Sequence, residues 1–314
     1  MSVTVERLTA LAERLAAHGE VRADEPLARH TTLGIGGPAD LLFRATSRAA
    51  LAAAVRAARE ADVPLTVLGS GSNVLVGDRG IRGLVIINEA RRISTPVPLG
   101  DGTYRVEAES GASFAATARK LCRAGFTGLE WAVGIPGTLG GAVVYNAGAY
   151  GGQLADVLHA IDVVDRDGRE RTLPASALHL EYRRSAFTRG LLAEQVVLAA
   201  VFHVRRGDPA AIQATIAALD AKRLATQPRG RNAGSMFKNP PGASAWQLID
   251  AVGLRGMRIG DAEISAKHAN FFCNAGHATA ADMKRLIDLA RERVRERFGI
   301  ELETEVALIG EGFY

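Results

Sequence analysis

Three groups of residues in this chain have types and spacing that could do chemistry. The first is Gly69-Ser70-Gly71-Ser72-Asn73-Val74, which follows a short apolar run. Small residues after a strand can present successive N–H groups to a phosphate without any helix. Taken alone, the same loop reads more readily as a tight turn in which glycine serves geometry alone. It is not a dinucleotide fingerprint, because Val74 stands where the third glycine belongs and a β-like text, VLVGDRGIRGLVIIN, follows. The second group runs from Gly134 through Pro136, Gly137, Thr138, Gly140 and Gly141 to Asn146, Ala147, Gly148 and Gly152. Seven glycines in 19 residues cost chain entropy that a packed strand would avoid, whereas a backbone lying against a flat cofactor needs them. A glycine-rich surface loop is the alternative, although the interleaved apolar residues argue against simple exposure. The third group is polar: Tyr182, Arg183, Ser235, Asn239 and Glu305. Hydride addition to an alkene beside a carboxylate needs a hydride source, a cation on the carboxylate and an acid for the resulting carbanion. Arginine's planar fork suits the carboxylate. A serine hydroxyl is a weak acid that can still protonate an enolate when held close. Spacing alone does not bring the five together, and each also reads as a solvated charge, a turn or a strand-surface residue.

The elements that must position these residues are legible in part. Val5, Leu8, Leu11 and Leu15 predict a surface helix over 4–18. Helices are expected at 47–63, 113–124 (closed by Gly125), 209–222 and 244–252. A longer one, Ala280 to Phe298, has Thr279 and Asp282 as a capping pair and ends at Gly299. Strands are expected at 65–68, 74–76, 83–88, 104–110, 195–204, 263–273 and 301–310, with a hairpin over 160–173 turning at Asp167-Gly168. ATQPRGRNAG (225–234) is expected as an interdomain linker.

Bulk properties narrow the class. The chain has 314 residues, 47% hydrophobic and 23% charged, enough for roughly two or three domains of ordinary globular type. A net charge of +4 is mild and spread out; it suits anionic small molecules and lacks a nucleic-acid signature. Cys122 and Cys273 stand far apart in no metal-type spacing, as expected of buried thiols in a reducing cytosol, so no metal is expected. No apolar run approaches the ~20 residues of a membrane span. The first twenty residues mix charged with apolar positions, so an amphipathic helix rather than a signal peptide, and a cytoplasmic location, are expected.

Six blocks occur in order: ARHTTLGIGGPAD (28–40), LGSGSNVLVGD (68–78), GIPGTLGGAVVYNAGAYGG (134–152), YRRSAF (182–187), AGSMFKNP (233–240) and ELETEV (301–306). Together they resemble the UDP-N-acetylenolpyruvoylglucosamine reductase family over nearly the whole chain, from about His30 to Gly310. The resemblance implies an α+β fold: a vanillyl-alcohol-oxidase (PCMH) type FAD-binding module of two subdomains, 1–90 and 91–222, plus a C-terminal α+β substrate-binding domain, 223–314. The last residues of that domain could return to the first subdomain. It implies NADPH- and FAD-dependent reduction of an enolpyruvyl UDP-sugar to UDP-N-acetylmuramate, by a monomer with small-molecule substrates and neither nucleic-acid nor membrane partners.

Residue by residue, the resemblance gives Arg183 the role of stabilising the enolate. Ser235 would donate the proton to C2, and Glu305 would assist it. Gly69, Ser70, Gly71, Ser72, Asn73 and Val74 would hold the FAD pyrophosphate. Gly134, Pro136, Gly137, Thr138, Gly140, Gly141, Asn146, Ala147 and Gly148 would line the rest of the cofactor. Tyr182, Lys238 and Asn239 would face the substrate, with Arg255 and His268 toward its diphosphate or sugar. One branch of the family carries an extra loop between the arginine and serine, with a tyrosine that closes over the substrate. Only 51 residues lie between Arg183 and Ser235, none of them tyrosine, so the chain resembles the shorter type. Arg229 and Arg231 would then either help hold the diphosphate or remain solvated linker charges. The alternatives are another flavin oxidoreductase of this superfamily, such as an oxygen-using oxidase, and a non-catalytic nucleotide-binding protein. No suitably placed His or Cys for a covalent flavin link supports the former.

Overall fold

The computed structural model describes residues 4–314; the first three residues of the expected N-terminal helix text lie outside that range. The chain forms two compact units, each assembled from separated stretches. The first holds the residues up to Val21, Phe43–Gly69 and Val85–Arg223; the second holds Arg22–Leu42, Ser70–Leu84 and Leu224–Tyr314. These units interleave in sequence, whereas the division expected above is consecutive.

The first unit is built on an antiparallel sheet. Its strands run in the order Glu170–Pro174, Leu158–Val164, Val196–Arg206, Thr103–Glu109 and Val97–Pro98, with Phe126–Thr127 also pairing the long third strand. That strand is almost wholly buried from Val197 to Val204, as its unbroken apolar text requires. Its helices are α1 (Val5–Ala16), α2 (Arg48–Glu60), α3 (Phe114–Arg123), α4 (Leu139–Val144) and α5 (Pro209–Thr226). Helix α3 starts because the Ser113 hydroxyl accepts the Ala116 amide. It buries Phe114, Thr117, Ala118, Leu121 and Cys122, the positions of one helical face. Phe114 meets Trp131 edge-on at 5.6 Å, so the same core supports the start of the glycine-rich stretch.

The second unit holds a four-stranded antiparallel sheet in the order Arg231–Ser235, Phe271–Asn274, Ala262–Ile264, Arg258–Ile259. It also holds helices α6 (Ala245–Ala251) and α7 (Ala280–Phe298). The expected capping pair forms: the Thr279 hydroxyl accepts the Asp282 amide and the Asp282 carboxylate accepts the Thr279 amide. Asp78 adds to this, taking the Ala280 and Ala281 amides at 2.7 and 3.0 Å on its two oxygens. Helix α7 buries Met283, Leu286, Ile287, Ala290 and Val294 and stops at Gly299. The strand Ala307–Ile309 pairs in parallel with Val74–Val76.

Two expectations are corrected. The stretch 225–234 is a linker only at 227–230: α5 continues to Thr226 through Ala221-Lys-Arg-Leu-Ala, all strong helix formers, and stops before Pro228, while Arg231 already pairs with Asn274. The expected strand 301–310 is confined to Ala307–Ile309, because the main chain of 303–306 bonds singly to 236–238 instead. Within the glycine-rich run 134–152, α4 buries Leu139, Ala142 and Val143. The expected hairpin forms, its turn spanning Asp165–Arg169 around Asp167-Gly168, with the Asp165 carboxylate accepting the Asp167 and Arg169 amides at 2.9 Å each.

Both thiols are chemically quiet. Burial, reinforced by the charge of Glu130, pushes the Cys122 thiol up to about 12; burial and Glu263 push Cys273 up to about 11. Alkylation by iodoacetamide at pH 8 is therefore expected to be slow in the folded protein and fast after denaturation. Rapid labelling of the native protein would contradict the burial of Cys122 and the partial burial of Cys273.

Candidate active site

In the second unit, Ser70–Asn73 is fixed from two sides. Gly71 is buried in the left-handed region at φ 59°, and a Cβ there would lie 2.1 Å from the His30 carbonyl oxygen. Its own carbonyl accepts the Thr32 amide at 3.0 Å, and the Asn73 carbonyl accepts the Ala307 amide at 3.0 Å. The loop's carbonyl edge thus turns into the unit, the polarity that an anion-binding turn requires. Val74 begins the parallel pair with Ala307.

The same unit brings Ser235 and Glu305 onto adjacent backbone. Glu305 donates its amide to the Met236 carbonyl at 2.8 Å, Lys238 donates its amide to Glu303 at 2.9 Å, and Phe237 bridges Thr304. The Asn73 side-chain amide donates to the Glu305 carbonyl at 3.1 Å, tying the first loop to this pair of segments. Ser235 ends its strand opposite Phe271. Lys238 pairs with Glu303. The Asn239 side-chain oxygen accepts the Ala245 amide at 3.0 Å and so starts α6. Arg255 is engaged twice, in a two-pronged contact with Asp250 at 2.6 and 2.8 Å and on the Ala266 carbonyl at 2.7 Å. His268 packs between Trp246 and Phe271 and takes the Asn270 amide on Nδ1. Burial, with the Arg255 charge adding to it, lowers its proton affinity below the usual histidine range. Arg231 donates to the Gly276 carbonyl at 3.0 Å and its stem lies against Gly34, so it is a tied side chain; Arg229 is exposed.

In the first unit, Gly69 packs against Thr138: a Cβ at residue 69 would come within 2.2 Å of the threonine hydroxyl. Gly134 lies against the Arg223 stem, and Gly137 accepts the Phe114 amide at 3.0 Å. The amides of Leu139 and Gly140 donate to Ala112 and Ser110, so this end of α4 is packed protein. Pro136 and Gly141 are exposed, and a Cβ on Gly141 would meet nothing nearer than the Thr138 hydroxyl at 4.0 Å. This open face beside glycine backbone fits a flat cofactor. Asn146 is buried, and its side chain is committed inside the unit. Ala147 exchanges backbone bonds with Ala142 and Leu154. Arg183 donates to the Gly148 carbonyl at 2.7 Å, with exposed Tyr182 beneath its guanidinium at 5.7 Å.

Sequence reasoning passed over two residues that hold these parts. The Thr32 hydroxyl donates to the Asn232 carbonyl at 2.7 Å while its amide holds Gly71. Buried Asn270 grips Phe237 through both its amide and its carbonyl, at 2.9 and 2.8 Å. The ARHTTLGIGG block was the available signal for the first; nothing in periodicity marks the second.

Residues 39–173 match the family model described as an FAD binding domain. Glycine backbone against an open face, set in such a module, defines the class of an FAD-dependent oxidoreductase. Residues 226–309 match the model for the C-terminal domain of UDP-N-acetylenolpyruvoylglucosamine reductase. The enzyme of that name from Rubrobacter xylanophilus is 46% identical over 92% of this chain and 95% of its own. The second such reductase of Symbiobacterium thermophilum is 42% identical over 99% and 98%. The crystal structure of the reductase from Thermus caldophilus superposes with a TM-score of 0.75 at 35% identity, covering 92% of this chain and 98% of that one. The chain belongs to the UDP-N-acetylenolpyruvoylglucosamine reductase family. Among the described residues no helix is long and apolar enough to cross a membrane.

Proposed function

We propose that this chain reduces UDP-N-acetylglucosamine enolpyruvate to UDP-N-acetylmuramate, a step of peptidoglycan precursor synthesis, with NADPH as reductant. FAD, when bound, supplies the hydride relay from NADPH to the vinyl carbon of the enolpyruvyl ether. Arg183 balances the negative charge that develops toward C2 and the carboxylate, a task for a planar, permanently charged fork. Ser235 gives its hydroxyl proton to C2, and Glu305 assists. Tyr182, Lys238 and Asn239 face the substrate, Arg255 and His268 its diphosphate or sugar. The backbone of Gly69–Val74 holds the FAD pyrophosphate and that of Gly134–Gly148, Asn146 included, the rest of the cofactor.

The observation that carries the reading is the adjacency of Ser235 and Glu305, with Asn73 of the glycine loop bonded to the Glu305 main chain. By this reading 1–90 and 91–222 are the cofactor subdomains and 223–314 the substrate domain, in a monomeric cytoplasmic enzyme without nucleic-acid or membrane partners. The test is an anaerobic absorbance spectrum of the purified protein. Bleaching by NADPH followed by recolouring with the enolpyruvyl UDP-sugar is the expected result. A protein that takes up no FAD when supplied with it would overturn the reading.

A further inference from the structure

Six non-glycine residues among those described have positive φ, and four of them lie in two segments of the first unit: Asn146 and Tyr150, His179 and Arg183. Such conformations are sparsely populated and persist where the surroundings over-determine them. The surroundings are visible. The Ser185 hydroxyl donates to the Val144 carbonyl at 2.5 Å. The Asn146 side-chain amide donates to the Glu181 carbonyl at 2.8 Å. Arg183 itself donates to the Gly148 carbonyl at 2.7 Å. Three side-chain bonds thus stitch 144–148 to 181–185, one on each side of Arg183 and one from it.

Both flanking side chains are buried, Ser185 wholly so, and both are fully used. Asn146 also donates to Gln153 Oε1 at 3.0 Å and accepts the Ala155 amide at 3.1 Å. Ser185 also accepts the Phe187 amide at 3.1 Å. Between them the turn closes on itself, Glu181 and Arg184 exchanging amide–carbonyl bonds at 3.0 and 3.1 Å. An arginine on a loop would ordinarily sample many rotamers; here its main chain is pinned at residues 181 and 185 in a conformation that aims one side chain. We infer that Asn146 and Ser185 are positioning residues for Arg183. The inference rests on the role proposed above for that arginine.

The test compares Ser185→Ala and Asn146→Gly, each alone and combined with Arg183→Ala. Glycine keeps the left-handed backbone at 146 while removing the latch. Stopped-flow absorbance reads the two half-reactions separately, and thermal melting with flavin content reads folding. Each single variant is expected to slow recolouring by the enolpyruvyl UDP-sugar by about 10- to 100-fold, the cost of an ångström-scale misplacement. Bleaching by NADPH should change by less than about 2-fold in Ser185→Ala, a position not assigned to the cofactor, and in the Arg183→Ala background neither variant should cost recolouring anything further. Losses that repeat in full in that background, that strike both half-reactions alike in Ser185→Ala, or that do not occur would overturn the inference. Should Asn146→Gly not fold, Ser185→Ala, on the opposite flank, decides alone. If Arg183→Ala itself leaves recolouring unchanged, the proposed role of the arginine fails instead.

Discussion

Replacing Ser235 by alanine is expected to leave a protein that NADPH still bleaches but that the enolpyruvyl UDP-sugar recolours at least ~100-fold more slowly, the usual loss for a missing general acid. The expectation follows from the order of events. A proton donor to C2 acts only once negative charge has developed there, so its removal cannot touch the reduction of the cofactor. The fold should tolerate the change. Ser235 is half-buried at the end of its strand, its main chain pairs with Phe271, and the neighbouring Met236 and Phe237 carry the core contacts. Stopped-flow absorbance on the two half-reactions, with melting as a control, checks it. A parallel fall in both half-reactions would show that Ser235 supports cofactor binding or folding and is not the acid.

Gly71→Ala is expected to cost about 2–6 kcal/mol, combining ~1–3 kcal/mol for a left-handed alanine with ~1–3 kcal/mol for a forced contact. The contact is with backbone, since the added carbon would sit 2.1 Å from the His30 oxygen and 2.7 Å from the Thr31 Cα, and neither can rotate away. Against a total of about 5–15 kcal/mol this is a large fraction. Moving the loop also disturbs the Thr32–Gly71 and Asn73–Ala307 bonds, so the protein should purify with little flavin and melt well below the parent. Gly141→Ala is the contrasting case. Its added methyl meets open space and replaces glycine inside α4, which by itself favours the helix by about 0.5–1 kcal/mol. Flavin affinity should fall there with no loss of stability, because only a bound cofactor would meet that methyl. Unchanged flavin affinity in Gly141→Ala would remove residue 141 from the cofactor's path.

What could be read in advance divides by range. The Thr279–Asp282 capping pair and the Gly299 stop of α7 are statements about residues a few positions apart, and they stand in the structure as they read in the text. Arg231–Ser235 did not read as a strand because its partner, Phe271–Asn274, lies some forty residues on and its own text is polar and glycine-bearing. Helix α4 hid behind its glycines; what holds it is burial of Leu139, Ala142 and Val143 against residues from elsewhere in the unit. The site divides in the same way. Glycine loops and motif blocks announce themselves, whereas Thr32 and Asn270 act through bonds to main chain at Asn232 and Phe237, which no local pattern encodes.

The parallel pairing of Ala307–Ile309 with Val74–Val76 bears on how the protein is made. A ribosome emits Val74–Val76 early, yet their partner strand emerges only after residues 224–306. Until then the glycine loop beside them lacks the Ala307 amide that holds Asn73 and the Glu305 carbonyl that Asn73 grips. The first unit's residues are all synthesised by Arg223 and can collapse while the chain is still growing. Competence to bind the cofactor is thereby deferred to the closing moments of translation, and a nascent chain stalled before residue 307 should remain colourless in the presence of FAD.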